Sequence, residues 1–320
     1  MKKISLLLGL LAVCATALAQ PYPTKPIRLV VGFGPGGAAD IIARVVGDPL
    51  GRALGQSIII DNKPGAGSSI AVEFVARASP DGYTLLIASQ SGMIVNPVIN
   101  RNVGYNAEKD FAPIAKITSS PLVVAVNPAL PVRSIAELIA EAKKAPGKLN
   151  FASSGNGSVP HLAALLFDAL TGIEMVHVPY KSGGLSVQSV LAGDTQVTFA
   201  TSPSVLPLIQ GGRLRGLALT SRARSPLVPG LPGMEEAGLA NYDIAVWYGF
   251  FAPAGTPPGV IRRLFDATIS VLQQPALKQA LASDGTETAG SRSPEEFAAF
   301  LREETRIWAK LIRESGAKSD

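Results

Sequence analysis

The stretch from Val30 to Asp40 constrains the chain more than any other. It reads Val-Val-Gly-Phe-Gly-Pro-Gly-Gly-Ala-Ala-Asp: a β-branched run, then a loop with four glycines in six residues. Residues 27–31 predict a strand. A helix follows over 38–46, with Ile41, Ile42, Val45, Val46 and Leu50 at helical spacing and glycines 51 and 55 ending it. Glycine carries no Cβ, so backbone N–H groups in such a loop can face open space. The helix start adds unpaired N–H groups and the positive end of its dipole. The unit is a seat for an anion, and a carboxylate suits it as well as a phosphate.

The same device recurs. Residues 57–61 read as a buried parallel strand, 64–69 as a glycine-rich loop opening a helix over 70–78, and 84–88 as a third strand with Ser89-Gln90-Ser91-Gly92 at its carboxyl end. This β-α-β-α-β order implies a parallel sheet covered by helices. Ligands of such sheets bind outside the carboxyl ends of the strands. Residues 105–117 read as a connection and 121–128 as a strong strand. Ser134 and Glu137 form a capping box for a helix through Lys144. A strand over 148–152 leads into Ser153-Ser154-Gly155-Asn156-Gly157-Ser158 and a helix over 161–170 with Pro160 in its first turn. Here hydroxyls join the backbone N–H groups. Strands over 174–178, 195–200 and 215–220 and a helix over 185–192 complete a second α/β unit.

Residues 244–252 predict an apolar strand that returns the chain to the first unit. Helices follow from Thr256 through Leu272 and after the capping box at Ser293, the last with Phe297, Leu301, Trp308 and Leu311 at core spacing. The expected fold is therefore α/β and two-lobed, each lobe a mixed, mainly parallel sheet flanked by helices, with two crossover strands. Lobe one takes residues 20–120 and 246–320, lobe two takes 121–245, and the ligand sits between them. Such a clamshell closes about a hinge.

Lys2 and Lys3 precede an apolar run over 4–19 that ends Ala17-Leu18-Ala19, so residues 1–19 predict a cleavable secretory leader. The run is short for a membrane span. Cys14 is the single cysteine and leaves with the leader, which excludes a disulfide framework or a cysteine metal site. The formal charge of +5 falls to +3 without Lys2 and Lys3, and no basic cluster suggests nucleic acid. Two histidines cannot build a three-histidine zinc site, and no G-x-S-x-G elbow is present. Neither metal nor cofactor is expected. One decoy stands out: Gly32 to Gly37 satisfies G-x-G-x-x-G, with Asp61 where a ribose-binding acid would sit. Pro35 removes an N–H from that cradle, and a leader argues against a nucleotide enzyme.

The sequence resembles the tripartite tricarboxylate transporter substrate-binding receptors, the Bug or TctC-like proteins. The resemblance is carried by residues 22–28, 31–40, 61–67, 80–85, 110–114, 178–181 and 252–257, and it covers nearly the whole chain after the leader. It implies a periplasmic binding protein of type II-like fold, in the periplasm, monomeric and without catalysis. Its ligand would be a di- or tricarboxylate, an aromatic acid or an acidic amino acid, bridged by waters to the Phe33–Gly37 loop. Its partners would be the large and small membrane subunits of a transporter. Some relatives act as sensors without transport.

The expected ligand residues in lobe one are Phe33, Gly34, Pro35, Gly36, Gly37, Asp40, Ser89 and Gln90. In lobe two they are Ser153, Ser154, Gly155, Gly157, Ser158, His161, Tyr180, Lys181, Thr201 and Ser202. Backbone N–H groups and hydroxyls can fix a carboxylate without a buried arginine. Asp40 has a second reading, a carboxylate placed for the helix dipole. His161 could be structural, His177 should pack within its strand, and Trp247 and Tyr248 read as hinge-strand core or cleft wall. A competing enzyme reading is a secreted hydrolase using Ser154 or Ser158 with His161.

Overall fold

In the computed structural model, which describes residues 22–100 and 102–315, the first strand is β1 (Ile27–Val31). The expected leader, with Cys14, lies outside the described residues. β1 is buried at four of five positions, as a strand covered on both faces should be. It feeds α1 (Ala38–Leu54), which starts after Gly37 without a side-chain cap and ends on left-handed Gly55. β2 (Ile58–Asn62), α2 (Ser69–Ala76) and β3 (Thr84–Ala88) follow, and β1 pairs in parallel with both other strands. After β3 the chain enters a π-helical turn, Ser91–Val95, that runs on into α3 (Asn96–Ile99).

The clearest departure from expectation is β4 (Phe111–Val126). Residues 111–117, part of the stretch 105–117 expected to be a connection, supply its first half. Pro113 sits at a register shift, and Pro121 faces Ala245 at the end of the pairing with the returning strand. Proline cannot donate to a ladder, so it is tolerated at such irregular places and masks the strand in the sequence pattern.

The second lobe follows: α4 (Ile135–Lys144), β5 (Asn150–Ser153), α5 (Val159–Thr171), β6 (Val176–Pro179), α6 (Gly183–Ala192), β7 (Val197–Thr201), α7 (Ser202–Gln210) and β8 (Arg215–Leu219). α7 went unseen in the sequence because it holds Pro203 in its first turn and Pro207 inside it. The chain returns through β9 (Ala245–Pro253) and ends in α8 (Pro258–Leu272), α9 (Pro275–Ser283), β10 (Glu287–Thr288) and α10 (Pro294–Ser315).

The strands form one mixed sheet in the order β2-β1-β3-β9-β4-β7-β5-β6, with β8 and β10 also on β4. Residues 111–121 of β4 pair with β9, and 122–126 pair with β7 and β8. One strand thus serves both lobes, and β9 lies antiparallel beside its first half. The parallel pairs lie away from this seam, β1 with β2 and β3 in one lobe and β5 with β6 and β7 in the other. The main apolar core runs through both lobes. A smaller one packs Val187, Val190, Val205 and Leu206 of α6 and α7 on Val123 and Ala125 of β4.

Candidate functional site

The lobes meet where their strands end. The Gly34 N–H donates to the Lys181 carbonyl at 3.2 Å, and the Val159 N–H donates to Ser91 Oγ at 3.1 Å. Close approach demands glycine on both sides. A Cβ on Gly184 would stand 2.9 Å from the Gly36 carbonyl oxygen, and one on Gly67 would collide with the Asn156 carbonyl.

Between the lobes lies an inner cavity of about 20 Å³, room for roughly one water. Gly37, Ala38 and Ala39 bring the start of α1 to it. Val159 and Pro160 bring the start of α5, Gly183 that of α6, and Thr201 that of α7. Four helix N-termini therefore converge on one point. Each end carries about half a positive charge; at α5 the Val159 and His161 N–H groups are already taken by Ser91 and Ser158 and Pro160 has none, so that end acts through its dipole rather than through free donors. Ser89, Ser91, Ser154, Ser186 and Thr201 add hydroxyls, while Val246 and Tyr248 of β9 form an apolar floor. Among the described residues no Asp, Glu, Lys, Arg or His lines this cavity. Burial pushes the Tyr248 phenol further up, so it stays neutral. Chemically the site can seat an anion on fixed dipoles and hydroxyls, without a charged counterpart.

An outer cavity of about 300 Å³ shares Phe33 and Ser154 with the inner one. Gly65 to Ser68 form one wall, with Ala66, Gly67 and Ser68 all at positive φ (45°, 58° and 82°). Gly155, Asn156, Tyr180 and Lys181 form the other. The Tyr180 hydroxyl donates to Ser189 Oγ at 2.6 Å, and Lys181 is exposed at the mouth.

Phe33, Gly37, Ser89, Ser154 and Thr201 thus share the inner cavity, and Gly155, Tyr180 and Lys181 line the outer one. The loop glycines do not turn their N–H groups into open space as expected. Gly36 donates to Asp40 Oδ2 at 3.1 Å, Gly37 to the Gly34 carbonyl at 3.4 Å, and Gly34 across the cleft. The residues one step along the chain, Ala38 and Ala39, line the cavity at the start of α1. Pro35 and Gly36 are exposed at the rim and line neither cavity.

Asp40 takes the structural reading. It is 3 % exposed and accepts from Gly36, from Asn62 Nδ2 at 3.1 Å and from Arg44 Nε at 3.0 Å. Burial works to raise its pKa, but the bonds from Arg44, Gly36 and Asn62 outweigh it and hold the carboxyl below the usual range. Gln90 also lies off the cavities: its amide donates to the Ala245 carbonyl at 2.7 Å and accepts from the Trp247 N–H at 3.2 Å, pinning β9. Ser202 Oγ donates to the Pro121 carbonyl at 2.9 Å. Asp61, the ribose-acid decoy, faces Lys63 Nζ at 3.4 Å and Arg28 at 3.9 Å.

Beneath the serine loop lies a column of rings. His177 stacks on His161 with centroids 4.0 Å apart and on Phe151 at 4.8 Å. His177 Nε2 meets Ser153 Oγ at 2.6 Å, and His161 Nδ1 accepts the Gly157 N–H at 3.2 Å. Ser158 caps α5 by accepting from the His161 N–H at 3.4 Å. Gly157, at φ 73°, leaves room for the Asn96 side chain. Burial, then the neighbouring His161, pushes the His177 pKa down to about 3, so the ring is neutral. Ser153, Gly157, Ser158 and His161 therefore support the loop from below and line neither cavity. Of the pair in the hydrolase reading, Ser158 is fully buried as the cap of α5 and His161 Nδ1 already accepts the Gly157 N–H, so they are not set as nucleophile and base.

Sequence reasoning missed Ala38, Ala39, Ser91, Val159, Pro160, Gly183, Ser186, Ala200 and Val246. The first-turn signal was present at Ala38. Nothing in the sequence distinguished Ser91 from Gln90 beside it.

A two-lobed mixed α/β architecture of this kind is the fold of the periplasmic solute-binding proteins. Within that class, the chain belongs to the tripartite tricarboxylate transporter family of receptors, whose family model matches residues 42–317. BugT of Bordetella pertussis is 35 % identical across 98 % of this chain and 97 % of its own. An R. palustris protein solved with adipate is 33 % identical, covers 93 % of this chain and 99 % of that one, and superposes with a TM-score of 0.90. MatC from Rhodopseudomonas palustris, solved with bound malate, is 28 % identical over 91 % of this chain and 100 % of that one, with a TM-score of 0.87.

Proposed function

We propose that this chain is an exported receptor that captures a small carboxylate between its lobes, in the periplasm, and delivers it to the large and small membrane subunits of a tripartite transporter. The observation that carries this reading is the meeting of four helix N-termini at a cavity whose one titratable group, among the described residues, is a neutral tyrosine. Fixed dipoles favour an anion, and closure excludes the water that would screen them. The adipate and malate bound to similar proteins favour a carboxylate over other anions. In this reading Ala38, Ala39, Ser89, Ser91, Ser154 and Thr201 grip one carboxylate. The rest of the ligand extends past Phe33 into the outer cavity beside Tyr180 and Lys181. The lobes divide near residues 121 and 245, where the pairing of β4 with β9 stops. The chain binds and releases, and neither cofactor nor covalent step is called for.

Ala38→Pro is a sharp test. Ala38 is the first residue of α1, where proline is compatible with the helix and removes a single N–H. Calorimetry with malate, adipate and citrate should show binding of at least one acid by the native chain. The variant should lose about tenfold or more in affinity, with its unliganded melting temperature nearly unchanged. A native chain blind to all three acids, or a variant of undiminished affinity, would overturn the reading.

A further inference from the structure

A second chamber lies away from the cleft, between the π-helical turn, the segment leading into β4 and α10. Its volume is about 630 Å³, within the range of small-molecule sites. Ile94, Val98, Phe111, Phe251 and Leu301 give it apolar walls. Charge enters at two points, Arg302 and Glu108, both exposed. Among the described residues the Arg302 guanidinium has no ion pair or hydrogen bond, although its neighbour on the same helix, Arg306, pairs with Glu303 at 3.0 Å.

We propose that this chamber binds an amphiphilic monocarboxylate, with an alkyl chain among the apolar walls and its single carboxylate on Arg302. An unpartnered guanidinium offers a planar fork that suits a carboxylate bidentately. The apolar walls reward a chain that leaves water. A second carboxylate on the ligand would face either those walls or Glu108, at a cost in both cases. The chamber therefore selects against the diacids that the cleft accommodates. Its position gives occupancy a consequence. Met93 and Ile94 line the chamber from the π-helical turn whose first residue, Ser91, lines the cleft and accepts from Val159. The two sites share that turn as a wall, and π-helical turns are recurrent features of functional sites.

The test is calorimetry with octanoate, octanol and octanedioate against the native chain, Arg302→Gln and Ala298→Phe. Ala298 lines the chamber, so phenylalanine there fills it. Octanoate should bind the native chain, weaken about tenfold in Arg302→Gln and lose its heat in Ala298→Phe. Octanol should bind the native chain and Arg302→Gln alike. Octanedioate should be indifferent to both substitutions. Arg302 is a surface residue, so that variant carries the test should Ala298→Phe fail to fold. Octanoate binding that is absent from the native chain, or undiminished in Arg302→Gln, would overturn the proposal; the latter would place octanoate in the cleft instead. Octanedioate bound as tightly as octanoate and weakened by the same variants would overturn the single-charge selectivity.

Discussion

Asp40 sits in the first turn of α1, next in sequence to the cavity-lining Ala38 and Ala39 and almost fully buried, and its carboxylate is taken up by bonds with Gly36, Arg44 and Asn62. It holds the glycine loop in shape from behind. Its folded pKa lies below the unfolded value of about 3.9. Stability from the ionised group is therefore fully present above that unfolded value and is lost as pH falls through the folded pKa. Asp40→Ala should destabilise the chain by about 1–3 kcal/mol at neutral pH. In urea denaturation the gap between native and variant should stay constant from about pH 5 to 8 and narrow below about pH 4. A gap that grows on acidification would contradict the assignment.

At the scale of elements, the proposed seat is built from helix ends, and helix ends do not titrate. Affinity for a fully ionised acid should therefore be flat from about pH 7 to 9, as followed by calorimetry. A steep change in that window would require an ionisable side chain at the ligand. The elements legible in the sequence were those whose signal is local. β1, the glycine loop and α1 declare themselves through apolar spacing and glycine, and Ser134 and Ser293 through capping boxes whose bonds to Glu137 and Glu296 form as expected. The first half of β4 and all of α7 were hidden because Pro113, Pro203 and Pro207 read as breaks; the fold places Pro113 at a register shift and Pro203 in the first turn of α7, where a missing N–H is tolerated, while Pro207 lies inside that helix. The loop glycines were visible, but not the acceptors of their N–H groups, since the Lys181 carbonyl and the Asp40 carboxylate reach them only in three dimensions. Ser91 and Gln90 illustrate the same limit. One faces the cleft and the other pins β9, and the choice depends on a π-helical turn that leaves no periodic trace.

At the scale of the whole molecule, the proposed capture would depend on how closely the lobes approach, and Gly184 isolates that quantity. It is the second residue of α6, in an ordinary backbone conformation, so alanine brings no strain of its own and is the better helix former by up to about 1 kcal/mol. Its added Cβ would nevertheless stand 2.9 Å from the Gly36 carbonyl oxygen of the opposite lobe, and the atoms it meets there are backbone, which cannot swing aside as a side chain would. The lobes would have to part by a few tenths of an ångström at a contact lying beside the bond from Gly34 to Lys181. Gly184→Ala should thus keep or raise the unliganded melting temperature while disfavouring closure. Small-angle scattering should report a larger radius of gyration in the presence of acid. Calorimetry with malate or adipate should show about tenfold weaker binding, since a ligand that prefers the closed form loses affinity in proportion to the population of that form. Stability and affinity would then move in opposite directions from a single methyl group. An affinity and a scattering profile both unchanged would mean that this contact can yield without disturbing closure.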